Sequence, residues 1–296
     1  MIRKAFAFGL AVAAASLAFG VGTRAARAGG GRPPGGESKM SSVAEAGASA
    51  AKDDDQSGGE LREEFHRTYP LARDGRVSLK NINGAARVVA WDRDEVKIDA
   101  VKYARSRQRL DEAAIDVEAT GDSVNVKTRY PQHDLTWERD GRDNPATVEY
   151  TLTVPRTARV DSVELINGGL EIDGVAGVVK ATCINGRLRA RNLAGEARLS
   201  TINGALEAEF DRFEDGKAVS LDSVNGTVDL AVPPSASASV RASTVHGSIS
   251  NDFQIAVKRG EWIGESLEGQ LGAGGAARVK LSNVNGPIRI RRAGGR

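Results

Sequence analysis

Four carboxylates, Glu171, Asp173, Glu207 and Glu209, occupy matching places after successive Ile-Asn-Gly turns, with Arg189 and Arg191 at the same places between them. Grouped acids beside a basic residue are the working set of polysaccharide lyases and hydrolases, which need a proton donor, a base and a groove. Interleaved arginines argue for a different use. They satisfy the charge and hold carboxyl pKa values down, which suits structural pairing better than proton donation. Other chemistry finds little to work with. His66, His133 and His246 show no metal-ligand spacing, and no Gly-Lys-Ser phosphate loop, dinucleotide fingerprint or serine nucleophile elbow is present. Trp91, Trp137, Trp262 and Tyr130 could stack on sugar rings, but they are scattered, and buried aromatic anchors are the commoner arrangement. Cys183, the single cysteine, reads as a small buried apolar residue, since no base or cation is in view to activate it. The expectation is a non-enzymatic chain with no cofactor and no metal.

The positioning elements are repeats. The turn occurs as Ile82-Asn83-Gly84, Ile166-Asn167-Gly168, Ile184-Asn185-Gly186, Ile202-Asn203-Gly204, Val224-Asn225-Gly226 and Val284-Asn285-Gly286, with Val245-His246-Gly247 as a variant. From Gly168 through Gly186, Gly204 and Gly226 to Gly247 the intervals are 18, 18, 22 and 21 residues, a period that marks a repeat architecture. Before each turn every second residue is apolar or small, up to and including the Asn position: Val163, Leu165, Asn167; Val179, Ala181, Cys183, Asn185; Ala197, Leu199, Thr201, Asn203. After it, Leu170 and Ile172, Leu188 and Ala190, Leu206 and Ala208, Val228 and Leu230 continue the pattern. Period-two alternation predicts strands with one buried face. Asn and Gly tolerate left-handed backbone and suit the corner between them. A lone Asn-Gly would read as a hairpin, but its recurrence fits a stacked coil, in which successive Asn side chains can bond as a ladder.

The predicted fold is therefore all-β, a β-solenoid resembling a parallel β-helix, with 18- to 22-residue repeats over residues 161–296 after a less regular β region over 61–160. Parallel stacking would align Glu171, Arg189 and Glu207 in one outward column and Asp173, Arg191 and Glu209 in another, both alternating in sign until Asp229 and Ala231. The residue before each Asn, always Ile or Val, resists the alternation. Either the corner turns it inward, the favoured reading, or it forms an exposed apolar stripe. Residues 105–114 read as a short helix or irregular connection, 130–144 as a polar loop, and the final unit, from Ala277, as a cap on the stack.

The ends and the overall balance set the location. Arg3 and Lys4, the apolar run Ala5 to Val21 and the small residues Ala26-Arg27-Ala28 compose a signal peptide over residues 1–28, with an uncleaved anchor helix as the rival. No cysteine follows that run to carry a lipid. Residues 29–60, rich in Gly, Pro, Ser and Ala, read as a disordered linker; its Asp53-Asp54-Asp55 lacks the spacing of a calcium loop. Across the chain, 41 Lys and Arg stand against 39 Asp and Glu, for a net charge of +2, which gives no footprint for nucleic acid. One thiol makes no internal disulfide, so burial and backbone pairing must hold the fold.

The repeated xVxLxxINGxLxVxG units, the lead-in "VEYTLTVPRTARVDSVELING", the middle "VNGTVDLAVPPSASASVRASTVHGSI" and the closing "GGAARVKLSNVNGPIRI" resemble the bacterial putative-adhesin family, a domain of unknown function made of β-strand repeats. The resemblance covers about residues 61–296. It implies an all-β, exported or envelope-facing domain without catalytic residues, and a partner that is an envelope component, a glycan or another protein. His246 in an Asn position and the interrupted unit after Asn251 depart from the pattern and leave the register of the last two units open.

Overall fold

Alternating burial along each unit becomes two strands joined at the Asn-Gly corner, one in each of two sheets that share a core. The structure, a computed structural model, describes residues 60–131, 145–260 and 263–294. The proposed signal peptide and nearly all of the linker lie outside the described residues. Strands are numbered along the chain. One sheet has eleven described strands in the order β18 (Val257–Arg259), β19 (Glu265–Leu271), β16 (Ala238–His246), β20 (Ala277–Asn285), β14 (Ala218–Asn225), β12 (Ala197–Asn203), β10 (Val179–Asn185), β8 (Arg159–Asn167), β2 (Arg76–Asn83), β6 (Ser123–Arg129) and β5 (Ala114–Thr120). The other has ten: β1 (Leu61–Pro70), β4 (Glu95–Ala104), β7 (Thr147–Pro155), β3 (Ala86–Trp91), β9 (Leu170–Asp173), β11 (Leu188–Leu193), β13 (Leu206–Phe210), β15 (Val228–Val232), β21 (Ile288–Arg292) and β17 (Ile249–Asn251).

Every repeated corner carries the chain from the eleven-stranded sheet to the ten-stranded one. From β8 to β15 each strand pairs in parallel with its equivalent in the next unit, so that Asn167, Asn185, Asn203 and Asn225 stand opposite one another, as do Leu170, Leu188, Leu206 and Val228. The less regular region continues the same sheets, with β2 beside β8 and β3 beside β9. Between the sheets lies an almost wholly aliphatic core in which Val179, Cys183, Leu188, Leu199, Leu206 and Leu221 are buried. At such positions Leu→Ala removes burial worth about 2–5 kcal/mol. Arg107–Glu112 forms the one described helix, α1, capped by Ser106 and anchored through buried Leu110.

Two features depart from a uniform parallel coil. Both sheets are mixed and open, with antiparallel pairs β1/β4, β4/β7, β5/β6, β16/β19 and β18/β19 at their flanks. The last unit, moreover, does not cap the stack. β20 lies between β14 and β16, and β21 between β15 and β17. The cause is the excursion after Asn251: β19 returns antiparallel along one edge of β16, which leaves only the edge next to β14 for the strand that follows. The turn between β19 and β20 reaches that edge by passing against the start of β16. Gly272 has φ +60°, and a Cβ there would collide with the Ala236 carbonyl, so the crossing requires glycine.

Candidate functional site

The corners form one continuous structure. Asn167 donates Nδ2–H to Oδ1 of Asn83 at 3.0 Å, and Asn185 to Asn167, Asn203 to Asn185, Asn225 to Asn203 and Asn285 to Asn225 repeat the bond at 2.8–3.0 Å. Backbone bonds run the other way: the N–H groups of Gly84, Gly168, Gly186, Gly204 and Gly226 donate to the Asn carbonyl of the next unit, and Gly286 donates to His246. His246 thus occupies the last corner through its carbonyl, opposite Asn285, with Gly247 beside Gly286. At Gly204, φ is +151° and a Cβ would collide with the Gly186 carbonyl, so stacked corners exclude a side chain there.

The expected burial at the corner is corrected in both of its parts. Six of the seven corner residues are exposed and Asn83 is half-buried, so the row does not continue the buried face. The preceding Ile or Val is not turned inward: Ile82 and Ile202 are each 39% exposed, and Ile166, Ile184, Val224, Val245 and Val284 are half-buried. Alternation holds up to the residue before the Asn, so the Ile or Val faces outward, and it breaks at the Asn, which is exposed as well. Seven strands at the ordinary spacing make an aliphatic stripe roughly 29 Å long. Along its inner side runs a second lane containing Thr182, Ser200, Asp222, Ser282 and Ser243.

Sequence reasoning placed the residue two before each corner on the buried face but missed that this row bonds the corner carbonyls. Asn283 donates Nδ2–H to the Gly226 carbonyl at 2.8 Å, Thr244 its hydroxyl to Gly286 at 3.1 Å and Cys183 its thiol to Gly168 at 3.2 Å. Asn81 donates to the carbonyls of Val148 at 2.8 Å and Gly84 at 3.3 Å. Thr201 Oγ1, Ser223 Oγ and Asn283 Oδ1 are buried with no hydrogen-bond partner among the described residues. The signal was present as polar residues on an otherwise apolar parity. Burial pushes the Cys183 thiol up to about 11, so it is a structural donor rather than a nucleophile.

Of the outward charges, the first column is in register: Arg87, Glu171, Arg189, Glu207, Asp229 and Arg289 stand on adjacent strands. Arg189 bonds Glu207 at 2.7 Å, and Arg291 reaches Asp229 at 2.7 Å. Burial raises the Glu207 pKa, but the Arg189 hydrogen bond and the charges of Arg189, Arg187 and Arg191 outweigh it, and the carboxyl lies below its ordinary value. The second column holds only in part. Arg191 stands opposite Asp173, but the register shifts before Leu193 and Arg191 is not aligned with Glu209. Asn192, at φ 54°, supplies the local distortion and bonds Asp173 through its amide at 2.6 Å.

The remaining expected residues do not converge. His66 sits on β1 between Asp99, at 2.7 Å, and Glu64, at 3.1 Å. Trp91 donates its indole N–H to the Glu95 carbonyl, and Tyr130 its hydroxyl to the Ala146 carbonyl. His133, Trp137 and Trp262 lie outside the described residues. Among the described residues no cluster of His, Cys, Asp and Glu has metal-holding geometry, and no helix is long and apolar enough to cross a membrane.

No protein-family model matches the chain, and no curated protein does. Among solved structures it is similar to a putative cell adhesion protein from Clostridium sporogenes, at 14% identity and TM-score 0.48 over 78% of this chain and 100% of that one. A putative adhesin from Bacteroides fragilis is similar at 11% identity and TM-score 0.37, over 77% and 97% of the two chains. A putative lipid binding protein from Parabacteroides distasonis follows at 8% identity and TM-score 0.29, over 77% and 96%.

Proposed function

We propose that the protein is a non-enzymatic, exported β-solenoid that acts as an adhesin or envelope scaffold by presenting a repetitive binding surface. The observation that carries this reading is the outer face of the eleven-stranded sheet. There three lanes recur strand after strand in register: a corner lane of amides ending in His246, an aliphatic lane, and a polar lane of hydroxyls with Lys80, Glu164 and Asp222. A surface of this kind is rigid, because its backbone groups are paired within the sheet, and periodic, because each strand contributes equivalent atoms at a fixed spacing. Stacked pairing from β8 to β15 supports the solenoid description, and residues 1–28 support export. The carboxylates first considered for proton transfer point away from enzymology: Glu207 is held ionised by Arg189, and Glu171 stands opposite the same arginine.

The aliphatic stripe favours a second reading, an envelope-associated accessory that docks a partner protein through Ile82, Ile184, Ile202 and their neighbours. A pull-down of the purified chain against envelope fractions separates the two. Retention that survives protease and disappears when glycans are stripped supports adhesion. Retention lost to protease and weakened by Ile202→Lys supports the accessory. Turnover of a polysaccharide, abolished by Glu207→Gln, would overturn both.

A further inference from the structure

β8 carries one residue more than its neighbour at a single point. Val77 of β2 pairs with Val160 and Ser78 with Ser162, so Asp161 has no opposite residue there, and the register with β10 shifts at the same place. A bulge of this kind bends its strand and re-aims side chains. Here it borders a trough across β6, β2 and β8, formed by two hollows of about 260 and 300 Å³ that share Arg76. The larger hollow just reaches the lower limit of the size range of small-molecule sites, about 300 Å³, and the smaller falls short of it.

The first hollow is lined mainly by polar groups, and the second, which includes Val77, by polar and apolar surface in about equal share. Arg76 stands opposite Arg159 in the parallel pair β2/β8 and makes no ion pair among the described residues. Asp161 is 3.9 Å from Arg159 and 3.5 Å from Lys180. Asn125 accepts the Ser78 hydroxyl on Oδ1 at 2.8 Å, which leaves its Nδ2 donors directed elsewhere. Asp122, at the far end, has no ion pair among the described residues. Positive and negative groups are present in nearly equal number, so neither a simple anion nor a simple cation is matched by the whole set. A polyhydroxylated molecule is matched, because vicinal hydroxyls donate to carboxylates and accept from guanidinium and amide groups at once.

We propose that this trough is a saccharide-binding subsite that takes one ring of a neutral glycan; the inference rests on the surface-binding reading above and names its ligand class. The test is equilibrium binding of the purified chain to immobilised neutral gluco-, manno-, galacto- and N-acetylglucosamine oligosaccharides, with inorganic sulfate as competitor. At least one oligosaccharide binds, and Arg76→Ala and Asn125→Ala each weaken it by about tenfold or more while melting temperatures hold. Arg189→Gln, on the other sheet, leaves binding unchanged. Affinity unaffected by both trough variants, complete displacement by sulfate, or no oligosaccharide bound each overturns the proposal. If wild type and Arg76→Ala are retained equally by envelope fractions, the trough fails while the surface-binding reading stands. Absence of any envelope retention by wild type counts against that broader reading instead.

Discussion

Asn203 donates Nδ2–H to Oδ1 of Asn185 at 2.9 Å, from directly opposite it in the parallel pair β10/β12. Asn185 in turn donates to Asn167, so one side chain sits in two rungs. Asn185→Leu removes both bonds at an exposed site where water replaces part of them. The expected cost is about 1–2 kcal/mol, read by urea unfolding. An unchanged midpoint would show that the amide ladder contributes nothing to stability.

Arg189 is the cation between Glu171 and Glu207. Arg189→Glu makes the row acidic from Glu171 to Asp229. Stability should fall by about 1 kcal/mol at low salt and by less as salt screens the repulsion. Equal stability at low salt would mean the column is electrostatically silent.

Glu207 gives that interaction a pH signature. Its folded-state pKa is depressed, so its contribution is fully present above the unfolded carboxyl value, near ~4.3, and is lost as pH falls through the lower folded value. Glu207→Gln should therefore flatten the stability profile below about pH 4.3. A profile of unchanged slope would contradict the assignment.

The buried row separates satisfied from unsatisfied hydroxyls. Thr244 Oγ1 donates to the Gly286 carbonyl, whereas Thr201 Oγ1 has no partner among the described residues. Thr244→Val should cost about 1 kcal/mol, while Thr201→Val should be neutral or slightly stabilising. Equal losses in thermal melts would show that Thr201 is bonded in solution.

His66 accounts for a third type of test. Its hydrogen bond to Asp99, then that to Glu64, raise its pKa, so its stabilising effect is present below about 6.5 and is lost as pH rises through the higher folded value. An NMR titration should show the imidazole pKa falling in Asp99→Asn. No movement would remove Asp99 as the cause.

Much of the fold was legible because period-two burial and a recurring turn are local signals. Val163, Leu165, Leu170 and Ile172 announce two strands and a corner without knowledge of any neighbour. The outer face of the eleven-stranded sheet was less legible. Ile202 looks like a core residue by type, and only its exposure at the end of β12 shows that it faces out. The trough depends on one inserted residue, Asp161, which reads in sequence as an ordinary polar position.

By itself, then, the sequence determined an all-β chain of repeated strand pairs, the Asn-Gly corners between them and the sign pattern of Glu171, Arg189 and Glu207. These follow from side-chain alternation and backbone preference within a few residues. The tertiary structure alone decided that β20 lies between β14 and β16, that Arg191 misses Glu209 and that β8 bulges beside β2. The first is a competition for a free sheet edge, settled by β19 already lying along β16; the other two are shifts of register, visible only when strands tens of residues apart are paired.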